Sequence, residues 1–156
     1  MIEISIPDFG NIRIRHLVLD YNGTLACDGK LLDGVKEELV RLSESLEIHV
    51  LTADTFGKAK AGLDGIPCKL TILPKEAQDK GKLDFIMQLG ASETACIGNG
   101  RNDRLMLANS ALGIAVILEE GAASVTLASA DVVCKDIVTA LKLFSNPLRL
   151  IATLRS

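Results

Sequence analysis

Residues 12–25 read IRIRHLVLDYNGTL, and the change of pattern inside them decides the fold. The stretch opens by alternating apolar and polar residues, becomes the unbroken run Leu17-Val18-Leu19, and stops at Asp20. Alternation suits a strand with one wet face, whereas a continuous apolar run needs cover on both faces. Residues 12–20 are therefore expected to form a strand that enters a buried, parallel sheet. The EISI segment before it, followed by the turn residues PDFGN, predicts a hairpin partner.

The pattern continues downstream as strands alternating with helices. Asp33 is expected to cap a helix whose apolar stripe is Val35, Leu39, Leu42 and Leu46. IHVLT makes a strand ending at Thr52, followed by a short helix near 55–62, a strand near 68–73 and a helix over 76–89. TACIG, residues 94–98, is a buried strand, and 102–109 is helical. LGIAVIL and DVVC are further strands, helices are expected at 121–129 and 136–144, and a last one follows Pro147. Strands joined by helices imply a mostly parallel sheet covered on both faces, an α/β, three-layer, Rossmann-like architecture. Residues 1–156 read as one domain of this kind, with no repeat and no linker.

Composition removes several function classes. The chain has 156 residues, 48% hydrophobic and 24% charged, which suits one well-cored globular domain. Its net charge is −3, with one Tyr, four Phe and no Trp, so a nucleic-acid partner is not expected. The longest apolar stretch, around Leu112–Leu118, is far short of the ~20 residues of a membrane helix. The start, MIEISIPDFG, lacks the basic and apolar regions of a signal peptide, so a cytoplasmic location is expected. Cys27, Cys68, Cys96 and Cys134 lie far apart with no C-x-x-C, and read as reduced thiols. His16 and His49 lie in apolar strands with no ligand cluster in the sequence around them, which gives them core or surface roles. Arg101 and Arg104 read as solvated, and Glu119-Glu120 as a turn.

In open parallel sheets the chemistry gathers beyond the carboxyl ends of the strands. Three polar signals fall there: DYNGTL from Asp20, LTADT from Leu51, and GNGRND from Gly98, with the lysine-bearing segment DKGKLDFIMQL between the last two. A carboxylate can accept a phosphoryl group, provided a cation screens the repulsion between them. It is already ionised at neutral pH and needs no activating base. Gly23 lets the backbone turn sharply, and Thr24 can donate a hydrogen bond beside the phosphoryl group.

In order, spacing and placement these motifs resemble those of the haloacid dehalogenase superfamily of phosphatases and phosphotransferases. Within it the resemblance is to the phosphorylation domain of P-type ATPases and its soluble relatives, over residues 14–135. It implies Asp20 as nucleophile and a phosphate-binding set of Gly23, Thr24, Thr52, Lys82 and Gly98. It further implies Mg²⁺ held by Asp20, the Asn22 backbone carbonyl, Asn99 and Asp103. Lys82, rather than Lys80, matches the family's spacing from the lysine to Ile86 and Leu89.

Two positions depart from the family. Its phosphatases carry a second Asp at the place of Asn22, which protonates the leaving group and then activates water. An amide cannot do this, and such acid–base catalysis is worth ~10²–10⁴ in rate. Asn99 replaces a metal-binding Asp, so weaker Mg²⁺ binding and slow turnover are expected. The intervals after the first and second motifs are also too short for a cap domain. An uncapped site is open to a large phosphorylated substrate, or to cover by a second copy in a homo-oligomer. The competing reading is a weak or inactive binding or regulatory module on the same fold. A response-regulator receiver fits less well, because Asp20 ends the first long strand whereas a receiver is phosphorylated on a later one.

Overall fold

The computed structural model describes residues 1–53 and 57–156. Strand β1 (Ile2–Ile6) pairs antiparallel with β2 (Gly10–Ile14), and β3 (His16–Asp20) follows after Arg15 alone. The expected strand over 12–20 is thus divided, and the hairpin forms through β2 while β3 enters a different sheet. The division falls where the hydrophobic period changes. In the hairpin Ile4, Ile6, Ile12 and Ile14 turn inward between exposed neighbours, whereas all five residues of β3 are buried. The Arg15 backbone N–H donates to the Glu93 carbonyl at 2.8 Å, outside both ladders.

Six parallel strands form the central sheet. With β6 (Glu47–Thr52), β7 (Lys69–Ile72), β8 (Thr94–Gly98), β9 (Leu112–Val116) and β10 (Val132–Cys134), their order is β10-β9-β8-β3-β6-β7. The register sets Asp20 beside Leu51 and Leu19 beside Ile97. Leu17, Leu19, Ile48 and Val50 share a core with α1 (Val35–Leu42) and α6 (Ile137–Ser145). Val18, Leu51, Cys96 and Ala115 pack with α3 (Gln78–Leu89) and α4 (Arg104–Asn109) on the other face. The fold is the expected three-layer α/β arrangement. Between β3 and β6 only a small hairpin and α1 intervene, so there is no cap domain there.

That hairpin, β4 (Ala26–Cys27) with β5 (Lys30–Leu31), lies outside the sequence reading. Its signal is Asp28-Gly29, whose φ values of 52° and 79° meet the left-handed requirement of a two-residue turn. Helix boundaries also differ from expectation. Gly34, at φ 82°, takes the cap position of α1 in place of Asp33, because the entry is left-handed. Ala77, also left-handed, delays α3 to Gln78. The helix expected over 102–109 opens as a 3₁₀ turn, Arg101–Asp103, before α4. That over 121–129 shrinks to α5 (Ser124–Leu127), since Gly121 turns the chain at φ 72°.

The short helix near 55–62 is α2 (Lys58–Gly62), and residues 54–56 lie outside the described residues. Asp136 caps α6 through its side chain, accepting from the Thr139 N–H at 2.6 Å. The last helix, α7 (Pro147–Leu154), starts on proline as expected. Among the described residues no single helix is long and apolar enough to cross a membrane.

Candidate active site

From β3 the sheet grows outward in both directions, to β6 and β7 on one side and β8, β9 and β10 on the other. Connections diverge at such a point and leave a crevice beyond the strand ends. Asp20, Thr52 and Gly98 terminate the three central strands there. Asp20, Asn22, Thr52 and Asn99 line a cavity of about 370 Å³ together with Lys75, Gln78, Gly100, Asn102 and Glu120.

Beneath the cavity is a buried chain of charge. The Lys82 ammonium, 1% exposed, lies 2.6 Å from Asp20 Oδ1 and 2.5 Å from Asp103 Oδ1. Burial alone would lower the lysine pKa, but the two carboxylates outweigh it and hold the ammonium protonated, above its ordinary value. Complete burial pushes the Asp103 carboxyl up and the Asp20 charge adds to this, while Lys82 and the Gly100 N–H oppose it. Asp103 Oδ2 accepts the backbone N–H groups of Asn99 (3.0 Å) and Gly100 (2.9 Å). It thereby clamps both the lysine and the β8 loop. Lys80, two residues earlier and so on the opposite side of α3, is exposed, and of the two lysines Lys82 is the one that reaches Asp20.

The loop after β3 is equally constrained. The Tyr21 carbonyl accepts from Leu25 and Ala26 N–H groups at 2.9 and 3.0 Å, and the Gly23 N–H donates to the Ala26 carbonyl at 2.7 Å. Gly23 sits at φ 77°, and a Cβ there would lie 2.5 Å from Asn99 Nδ2 and 2.8 Å from Glu120 Oε2. Glycine is required twice over, by conformation and by space. Thr24 Oγ1 lies 3.2 Å from Asp20 Oδ2 and 3.3 Å from Asn99 Oδ1, so its one proton serves either oxygen in turn. Gly98 permits the close approach of Asp103, whose Cγ is 2.4 Å from a hypothetical Cβ.

All nine residues singled out in the sequence therefore converge: Asp20, Asn22, Gly23, Thr24, Thr52, Lys82, Gly98, Asn99 and Asp103. Asp54 and Thr55 of the second motif lie outside the described residues. Arg104 pairs with Asp79 at 2.8 Å and Arg101 is exposed; neither lines this cavity. Glu120, read as part of a turn, does line it. Gly121 N–H donates to the Leu118 carbonyl at 2.8 Å, and Asn99 Nδ2 donates to the Gly121 carbonyl at 3.1 Å, folding the turn over the site. Its signal was available, because Glu119-Glu120 follows a buried strand at the same carboxyl edge as Asp20. Gln78 accepts from Asn102 Nδ2 at 2.7 Å and, with Lys75, closes the opposite wall.

The cavity gathers hard oxygen donors, the carboxylates of Asp20 and Glu120 and the amides of Asn22 and Asn99. That set suits a small divalent cation such as Mg²⁺.

No family model matches the chain. It is 58% identical over 59 residues to uncharacterized protein MJ0073 of Methanocaldococcus jannaschii, covering 38% of this chain and 63% of that protein. It is 56% identical over 39 residues to uncharacterized protein MJ0072 of the same organism, 25% of this chain and 89% of that protein. The chain spans less than two thirds of the first of these.

Among solved structures, the fold matches the cobalt-bound deoxy-D-mannose-octulosonate 8-phosphate phosphatase of Haemophilus influenzae. The TM-score is 0.69 at 18% identity, over 89% of each chain. The corresponding phosphatase of Moraxella catarrhalis, in complex with magnesium, phosphate and KDO, gives a TM-score of 0.67 at 15% identity, over 91% of this chain and 94% of that one. A candidate HAD family hydrolase of Streptomyces avermitilis gives 0.64 at 19% identity, over 84% of each. The architecture is that of the haloacid dehalogenase hydrolases.

Proposed function

We propose that this chain, which belongs to the same family as MJ0072 and has a haloacid dehalogenase fold, is a divalent-metal-dependent phosphohydrolase or phosphotransferase working through phosphorylated Asp20. The observation that carries the reading is the buried Asp20–Lys82–Asp103 chain opening into a cavity lined by Thr52 and Asn99. Structures that contain phosphatases of this fold support the reaction class.

Asp20 is the nucleophile. Its Oδ2, the oxygen turned away from Lys82 and within reach of the Thr24 hydroxyl, attacks phosphorus, the phosphorus–leaving-group bond breaks, and the leaving oxygen carries away the electron pair. Lys82 stays beside the other carboxylate oxygen and neutralises charge that builds on the phosphoryl oxygens. Thr52 and Thr24 offer hydroxyl donors to those oxygens. Asp20, the Asn22 backbone, Asn99 and Glu120 are the residues that would hold Mg²⁺, which supplies screening between the two anions; Asp103, whose two oxygens are already taken by Lys82 and by the Asn99 and Gly100 N–H groups, supports the site from beneath in place of the ligand role that the resemblance implies. We assign to Glu120 the carboxylate that Asn99 lacks.

Asn22 cannot donate a proton to the leaving group or accept one from water. The leaving oxygen must therefore be of low basicity or be protonated by solvent, and hydrolysis of the aspartyl phosphate is slow. This is the point of likeness to the phosphorylation domain of P-type ATPases, where a lasting phosphoenzyme is the working form. A panel of phosphorylated metabolites with Mg²⁺ tests the reading: turnover or a trapped acyl phosphate is expected, and Asp20→Asn abolishes both. Undiminished activity in Asp20→Asn would refute it.

The two amides at 22 and 99 favour one other reading, a module that binds phosphate or metal without turnover. Saturable Mg²⁺ or phosphate binding, with no activity above that of Asp20→Ala, would select it.

A further inference from the structure

At the opposite end of β3 and β6 from Asp20, three side chains that could ligate a metal share one face of the sheet. His16 opens β3, Glu47 is its register partner at the start of β6, and His49 follows two residues later. His16 Nδ1 lies 3.3 Å from His49 Nε2 and 3.9 Å from Glu47 Oε2, and the three ligand atoms all fall within 4.8 Å of one another. His16 and His49 are 8% and 3% exposed, whereas half of the Glu47 side chain is open to water. Along the strand this cluster is about 13 Å from Asp20, at ~3.3 Å per residue.

Two imidazoles set nitrogen to nitrogen can share one hydrogen bond at most. A tetrahedral metal with ~2.0–2.1 Å bonds to nitrogen places two ligating nitrogens about 3.3–3.4 Å apart, which is the separation found here. The carboxylate needs to close by about half an ångström on His16 and by no more than about 1.5 Å on His49, and an exposed glutamate has that freedom. Its present partner is Lys69, at 2.9 Å, a surface ion pair worth little and readily exchanged. The His49 ring is held by Phe85 of α3, edge-on at a centroid distance of 5.6 Å. Burial, with His16 and Lys69 adding, also pushes the His49 pKa down to about 4, so its ring is neutral at physiological pH.

We propose that His16, Glu47 and His49 form a second, transition-metal site, specific for Zn²⁺ or Co²⁺ over Mg²⁺, with water in the fourth position. Imidazole with one carboxylate favours such borderline ions, whereas the oxygen donors of the cavity near Asp20 favour hard ones. The site ties the amino ends of the two central strands together and acts on stability, since a ligand that binds only the folded state stabilises it. It is separate from the phosphoryl-transfer reading and does not depend on it.

Co²⁺ titration of the purified chain, with excess Mg²⁺ present to fill the cavity, tests this by visible absorption. The expected result is one equivalent of Co²⁺ with the intense bands of four-coordinate nitrogen ligation, displaced by Zn²⁺ and accompanied by a rise in Tm. Asp20→Asn keeps those bands, His49→Gln loses them, and Glu47→Gln retains the fold with weaker uptake. Because Glu47 is half exposed, that variant reports on binding even where His49→Gln folds poorly. Absence of four-coordinate bands in the wild type, or their persistence in both His49→Gln and Glu47→Gln, overturns the proposal and leaves a histidine–histidine hydrogen bond.

Discussion

Asp103 is fully buried and is joined to Asp20 through Lys82, whose ammonium lies 2.5 Å from one carboxylate and 2.6 Å from the other. One cation between two buried anions makes the lysine a structural keystone, whatever part it takes in the proposed reaction. Lys82→Met leaves both carboxylates without their counter-charge. A loss of about 3–5 kcal/mol in stability is expected, whereas Lys80→Ala should fall within about 0.5 kcal/mol of wild type. Urea unfolding of the two variants measures the difference, and equal losses would remove Lys82 from its assigned place.

On the proposed mechanism, Asn22→Asp places a carboxyl where the leaving group would depart. If proton transfer limits turnover, hydrolysis should rise by about 10²–10⁴-fold and the phosphoenzyme should shorten in lifetime. Rapid-quench measurement of phospho-Asp20 separates the two steps. An unchanged lifetime would mean that water is activated by some other group.

Glu120→Gln and Asn99→Asp act in opposite directions on the cation. The first removes a carboxylate from the cavity wall and should weaken Mg²⁺ binding; the second adds one beside Asp20 and should tighten it. Calorimetric titration of Mg²⁺ reads both without reference to activity. Glu120→Gln at wild-type affinity would leave the glutamate as a turn residue.

Gly98→Ala pushes a methyl group against Asp103 Cγ, 2.4 Å away. The carboxylate must shift, loosening its grip on the Asn99 and Gly100 N–H groups. A cost of about 1–3 kcal/mol is expected. Phosphoenzyme formation should fall with it, because Lys82 is released as Asp103 moves.

Cys96 lies in β8 with no exposed surface, and burial pushes its thiol pKa up to about 12. Almost no thiolate exists at neutral pH, so the residue should resist alkylation until the chain unfolds. Mass spectrometry after pulsed labelling across a urea series tests this. Modification of Cys96 well below the unfolding midpoint would contradict the packing of the α3 face.

The sheet and the site were legible in different ways. Continuous apolar runs at Leu17–Leu19 and 94–98 identified buried strands, and the polar residues following them identified one edge of the sheet. Position at that edge was enough to gather Asp20, Thr52 and Gly98. What failed to show was mostly local backbone. The break at Arg15 lay within an apolar-rich stretch, Gly34 displaced Asp33 because the helix entry is left-handed, and Asp28-Gly29 carried a hairpin turn that went unread. Glu120 was missed for a different reason, since a turn residue enters a site only when its loop folds back, here through the Asn99 and Gly121 contact. His16 and His49 stand 33 positions apart, and only the pairing of β3 with β6 brings them together.

The strand order also has a bearing on synthesis. Asp20 leaves the ribosome before its ammonium partner, which is 62 positions further along, and before Asp103, which is later still. Until α3 and the segment after β8 dock against β3, Asp20 has neither its counter-charge nor the loop that closes the cavity. A half-made product thus carries Asp20 without the lysine and loop that hold it, and the cluster closes only once the centre of the sheet is complete.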